Sequence, residues 1–115
     1  MRVKGRVKGA TMGFWNDASK IDLQEFRPGI KSVAELGDRL IMACLEIGPG
    51  REDAGHRHPF EQCGIVIEGR IEMFIGEKRR VLSALETYFI PADKLHGWKT
   101  FETPVRILDV SAKQG

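Results

Sequence analysis

Three histidines are all that this sequence contains, and two of them, His56 and His58, stand two residues apart in the run GREDAGHRHPFEQCGIVIEG at residues 50–69. In an extended chain alternate side chains share a face, so both imidazoles can aim at one point. Gln62 has the same parity, with Pro59 bending the path before it. His-x-His-x-x-x-Gln is therefore a candidate three-ligand run, and His96, 34 residues past Gln62, completes it if the chain folds back. Neutral imidazoles and an amide oxygen leave the charge of a divalent ion uncompensated, which makes such an ion a strong Lewis acid toward anions. Imidazole suits zinc, copper, iron and nickel, oxygen suits harder ions such as manganese, and four protein ligands leave positions open for water or substrate. The competing expectation is that the same residues hydrogen-bond inside the fold without an ion.

A second candidate is Asp109, in phase with Val105 and Ile107 while Leu108 and Val110 take the other face. Such a strand reads as buried on both sides. A carboxylate there needs a partner. Either it is hydrogen-bonded and structural, or it sits near a cationic centre as an acid or base with a shifted pKa. Trp98 has the parity of His96 and serves either as core packing or as lining of a pocket mouth. Glu61 and Cys63 are out of phase with Gln62 and are not expected as ligands. Cys63 is expected in the core.

These groups need elements to carry them, and the pattern from Ile21 onward is one of short apolar runs broken by turn residues, without helical periodicity. The runs predict strands over residues 22–26, 30–36, 39–47, 62–68, 70–75, 77–82, 87–90, 96–99 and 105–110. Pro28-Gly29, Gly69 and Gly76 mark breaks, and Gly37-Asp38 resembles a tight hairpin. Ile71, Met73 and Ile75 alternate with Arg70, Glu72 and Phe74, as suits a sheet with one face on a core. Many short strands imply an all-β sandwich or barrel.

At 115 residues the chain is long enough for one domain with a core and too short for two ordinary ones. Its 42% hydrophobic and 30% charged residues fit a soluble globular protein, and no apolar run approaches the roughly 18 residues of a membrane span. No membrane partner and no secretory signal are expected, so the expected location is cytoplasmic. Cys44 and Cys63 lie in apolar runs and read as free thiols rather than a disulfide framework. The net charge of +2 is carried by Arg2, Lys4, Arg6 and Lys8, in a tandem RVKG repeat, without which the balance is −2. A slightly acidic body with a short basic arm is not the charge pattern of a nucleic-acid-binding domain. Residues 1–20 are expected to form an arm and 21–115 the folded body. Met12, Phe14 and Trp15 are expected to pack onto that body or onto a second copy, with exposed sheet edges pointing to a homodimer.

The motifs resemble those of the cupin superfamily of small jelly-roll barrels, also called double-stranded β-helices. Its first motif runs from a glycine across five residues to His-x-His, an acidic ligand and a closing glycine, as do Gly50, His56, His58, Gln62 and Gly69, with Gln62 in place of the usual glutamate. Its second, a proline, a small residue and a histidine, is matched by Pro91, Asp93 and His96, with Asp93 where glycine is usual and Thr100 where asparagine often ends the motif. The resemblance spans about residues 30–110. The string from His56 to Gln62 is similar to that of small single-domain cupins with a three-histidine, one-glutamine site, among them the pectin-degradation cupins, which convert cyclic unsaturated uronates into linear keto sugars. Their Leu-Asp-Val carries a catalytic aspartate matched by Asp109, whereas an aromatic two places later is Ser111 here.

That resemblance implies a divalent metal (zinc, nickel, manganese, iron or copper) on His56, His58, Gln62 and His96. It also implies a small-molecule substrate such as an unsaturated uronate or similar sugar acid, with Asp109 moving the proton. Two alternatives accompany it. One is a metal-dependent dioxygenase, and the other is a non-catalytic small-molecule-binding module, since fold does not dictate function.

Overall fold

The structure, a computed structural model, describes residues 12–113, and the RVKGRVKG repeat lies outside them. Ten strands follow in order: β1 (Gln24–Arg27), β2 (Ile30–Leu36), β3 (Leu40–Ile47), β4 (Glu52–His56), β5 (Gln62–Glu68), β6 (Ile71–Ile75), β7 (Lys78–Leu82), β8 (Thr87–Ile90), β9 (His96–Thr100) and β10 (Val105–Ala112). They form a six-stranded sheet ordered β1-β2-β3-β10-β5-β8 and a four-stranded sheet ordered β4-β9-β6-β7. Every pairing is antiparallel. The architecture is the expected all-β jelly roll. β10, the last strand in the chain, is inserted between β3 and β5, so its contacts close the larger sheet only when the whole chain is present.

Alternation decides what each face meets. Inward-pointing Ile47, Val66, Ile71, Met73, Leu82, Tyr88, Ile90, Val105 and Ile107 form the core between the sheets, with Ile30, Ile75 and Trp98 packed against it. Trp98 thus has the core role, and it also lines the cavity described below. On the outer face of the larger sheet Val33 and Cys44 bury under Met12, with Ala18, Ile21, Leu23, Met42 and Leu108 around them. Arg106 pins that covering segment, donating from Nη1 to the carbonyls of Ala18 and Ile21 at 3.1 Å each. Met12 therefore packs on the body, but Phe14 and Trp15 do not: both are exposed, touching each other edge to face at 5.7 Å. Cys63 is half-buried rather than core, because its parity takes it out of the barrel, and both cysteines are free.

The turns explain several glycines and one exception. The β2–β3 hairpin closes as expected, with Gly37 N–H donating to the Leu40 carbonyl at 2.8 Å. Gly69 turns β5 into β6 with φ of 86°, and a Cβ there would run into the Pro104 carbonyl. Asp93, where the family pattern has glycine, adopts φ of 64°. This is the left-handed conformation that glycine takes freely and that aspartate tolerates better than most residues.

One strand is absent from the sequence expectation. β4, EDAGH, has none of the β-branched or aromatic residues that advertise a strand. It forms because β9 offers it an edge, with Glu52 opposite Lys99, Asp53 opposite Trp98 and His56 opposite His96, and a register shift between Asp53 and His56. The shift falls at Gly55, whose φ of 141° few other residues adopt.

Candidate metal centre

His56 ends β4 and His96 opens the neighbouring β9, so cross-strand pairing alone brings their rings to 4.3 Å between centroids. His58 does not share a strand with His56, as simple alternation would have it. It lies past the end of β4, in the bend through Pro59, and its ring approaches from another side, 5.5 Å from His56 and 4.8 Å from His96. The bend is fixed by Asp93, whose N–H donates to the His58 carbonyl at 2.7 Å, and by Phe60, whose ring stacks on the His58 imidazole at 3.9 Å. Gln62 opens β5 across the cluster. One potential ligand atom from each of the three histidines lies within 4.8 Å of the others, so the three can hold a metal ion.

The hydrogen bonds show which atoms face inward. His96 Nδ1 lies 2.8 Å from the Lys94 carbonyl, His58 Nδ1 3.0 Å from the Phe60 carbonyl and His56 Nδ1 3.1 Å from Asp53 Oδ2. Carbonyl and carboxylate oxygens accept, so each Nδ1 carries a hydrogen, and in the neutral ring, the form that binds metal, each Nε2 then presents a lone pair. Outer partners of this kind fix the tautomer and orientation of metal-binding histidines. His96 Nε2 is the one fully buried side-chain polar atom among the described residues without a hydrogen-bond partner. Beside it, Gln62 Oε1 lies 3.0 Å from His58 Nε2 while the amide nitrogen of Gln62 donates to Asp109 Oδ2 at 2.8 Å. An acceptor oxygen thus faces an acceptor nitrogen. Two acceptors that face each other repel unless a cation lies between or beside them, so a metal ion held by both would relieve this contact. The donor set of three imidazole nitrogens and one amide oxygen fits a divalent ion on this ground.

Burial shapes the electrostatics. The His96 side chain is buried, which holds its pKa below the usual histidine value, and the neighbouring His56 and His58 push the same way against the Lys94 carbonyl. Neutral imidazole is the ligand form. Asp109 is buried and its pKa is raised by that burial, opposed by hydrogen bonds from Tyr88 and Gln62. Tyr88 is raised in turn, by burial first and then by the Asp109 charge. His56, Gln62, Tyr88, His96, Trp98 and Asp109 border one cavity of about 70 Å³. That is room for about two waters at roughly 30 Å³ each, or for one small oxygen-bearing group.

All five site residues named from the sequence therefore lie at this end of the barrel, the three histidines around one point, Gln62 beside them through His58, and Asp109 behind Gln62. Sequence reasoning missed Asp53, the Phe60 and Lys94 carbonyls, Gly64 and Tyr88. Tyr88 alone left a signal, as a solitary tyrosine in phase with Ile90, since a buried hydroxyl needs a partner. Backbone carbonyls leave none.

Among protein families, the cupin domain family Cupin_2 matches residues 44–111. No curated protein matches the chain. Solved structures do. KdgF from Halomonas sp. superposes with a TM-score of 0.76 at 23% identity, covering 90% of this chain and 96% of that one. An RmlC-like cupin from Shewanella frigidimarina NCIMB 400 gives 0.75 at 19% identity, covering 90% and 93%. The polyketide cyclase RemF from Streptomyces resistomycificus gives 0.72 at 21% identity, covering 90% and 81%.

Proposed function

The chain belongs to the Cupin_2 family, and from that premise we propose that it is a metal-dependent enzyme that linearises or tautomerises an unsaturated uronate or a similar small oxygenated sugar acid. The observation that carries the reading is the inward turn of three Nε2 lone pairs and one amide oxygen beside a buried carboxylate. A divalent ion on His56, His58, Gln62 and His96 would supply Lewis acidity toward a carbonyl or carboxylate oxygen.

The chain's own residues do the rest. Asp109 Oδ2 accepts from Tyr88 and Gln62, whereas Oδ1 accepts from no described residue and is not sealed away, leaving it for substrate. Oδ1 takes the proton of the hemiacetal hydroxyl as the ring C–O bond breaks, and returns it to the vinylic carbon of the enolate left behind. The product is a linear keto aldehyde, with no net change in protons or electrons. Ile107 and Trp98 give this end of the cavity apolar walls. Its small volume admits only the reacting end of a sugar acid, so the remainder lies outside the barrel. Ser111, opposite Gln62 in the β10–β5 register, replaces the aromatic of the pectin-degradation cupins and alters that outer contact.

Elemental analysis of untagged protein followed by a panel of unsaturated uronates tests the reading. Loss of the ultraviolet absorbance of the ring double bond, without oxygen uptake, is the expected result. Oxygen consumption would favour a dioxygenase, and binding without turnover a sensor module. The chain is further proposed to work in the cytoplasm, where two free cysteines persist, and as a homodimer in which Phe14 and Trp15 cross to the partner. Deleting residues 1–15 then lowers the mass seen by light scattering from dimer toward monomer, and an unchanged mass counts against it.

A further inference from the structure

Gly64 stands opposite Asp109 on one side of β5 and opposite Tyr88 on the other. A Cβ at Gly64 would occupy the space of the Tyr88 hydroxyl. The missing side chain is therefore the passage through which Tyr88, on β8, reaches over a whole strand to donate to Asp109 Oδ2 on β10. The same oxygen takes the amide N–H of Gln62 at 2.8 Å, and the other end of that amide, Oε1, lies 3.0 Å from His58 Nε2.

An amide can turn about its last bond, and here its two ends face competing demands. His58 Nε2 is a lone pair, because Nδ1 gives its proton to the Phe60 carbonyl, and by itself it would prefer the amide NH2. That orientation would aim nitrogen at the metal position and oxygen at the carboxylate. Asp109 opposes it, since Oδ2 already accepts from the Tyr88 hydroxyl and, as an acceptor, can be met only by the nitrogen end of the amide. The carboxylate can do so only while Oδ2 is held toward Gln62, and the Tyr88 hydroxyl is its other anchor.

We propose that Tyr88, admitted by Gly64, is a positioning residue: by holding Asp109 Oδ2 it sets the Gln62 amide with its oxygen, not its nitrogen, toward the three histidines. The proposal rests on the metal-centre reading above but not on any substrate. It concerns how a neutral glutamine serves as an oxygen ligand. A glutamate at the same position would have two equivalent oxygens and no end to choose.

The test follows from that difference and uses cobalt(II) as probe on the full chain, with affinity read by chelator competition and coordination by visible absorption. Tyr88→Phe should weaken cobalt binding about 10-fold, at the lower end of what loss of an outer partner does, and should alter the cobalt spectrum. In the Gln62→Glu background the same substitution should change affinity by less than about twofold. A purely structural tyrosine would cost the same in both backgrounds, and that result, or parental affinity in Tyr88→Phe alone, overturns the proposal. Asp109→Asn carries the same two-background comparison should Tyr88→Phe prove unfolded by circular dichroism. A parental protein that takes up no cobalt overturns both this proposal and the metal reading. Cobalt binding without turnover of any uronate overturns only the substrate.

Discussion

The two faces of β10 meet opposite environments within one strand. Inward, Val105, Ile107 and Asp109 are all buried, and the run of apolar packing ends in a carboxylate. Outward, Leu108 lies among Met12, Val33 and Cys44 in apolar packing, and the charged side chain on that face, Arg106, is taken up by the carbonyls of Ala18 and Ile21 and by Glu46. Burying a carboxylate is strongly unfavourable unless it is hydrogen-bonded. The inner face meets that demand with the Tyr88 hydroxyl and the Gln62 amide, while the outer face buries no carboxylate and its Arg106 serves to hold the covering segment. The difference teaches where this fold carries chemistry. Position 108 can vary in size and stay apolar, whereas position 109 is tied to three other strands through Tyr88, Gln62 and the backbone pairing of β10.

Substitutions on the two faces should separate these roles, and the largest effect belongs inside. Asp109→Asn keeps the shape and removes the charge, so at saturating metal turnover should fall by roughly 10²- to 10⁴-fold. Parental turnover in a metal-loaded variant would make Asp109 structural. On the outer face, Leu108→Ala should lower unfolding stability by about 2 kcal/mol, the low end for a leucine because the side chain is only partly buried. It should also leave the metal response whole, with about 2.7 kcal/mol gained at a hundredfold excess of metal over Kd. A Leu108→Ala protein that no longer gains stability from metal would show that the faces are coupled.

The smallest effect is a pH slope. Burial raises the Cys44 thiol above its ordinary value, so the folded chain keeps a proton that the unfolded chain gives up above about pH 8.5. The thiol's contribution to stability is therefore whole below that pH and is lost as pH rises toward the folded value. Denaturant titrations of parent and Cys44→Ala at pH 8 and pH 9.5 should show a shallower decline in the variant. Equal slopes would mean that the outer face opens to solvent readily. Above about pH 10 the inner face should add a decline of the same sign, since Tyr88 is raised as well.

The sequence by itself determined the strand pattern, because alternation and turn residues are local and survive reading one residue at a time. Nine of the strands follow from it, with ends displaced by one or two residues, as for β1, expected over residues 22–26 and found at Gln24–Arg27. It also singled out His56, His58, Gln62, His96 and Asp109, since rare polar groups among glycines or within an apolar strand stand out against their surroundings. Tertiary structure decided the rest. β4 exists because β9 provides an edge, and nothing in EDAGH requires it. His58 meets the other histidines through a bend held by Asp93, not through strand alternation. The tautomers depend on the carbonyls of Phe60 and Lys94, and every residue has a carbonyl, so only its position distinguishes these two. Tyr88 reaches Asp109 because Gly64, in the strand between them, lacks a side chain. That relation joins three strands at residues 64, 88 and 109, and it becomes visible only when the sheet order places β5 between β8 and β10.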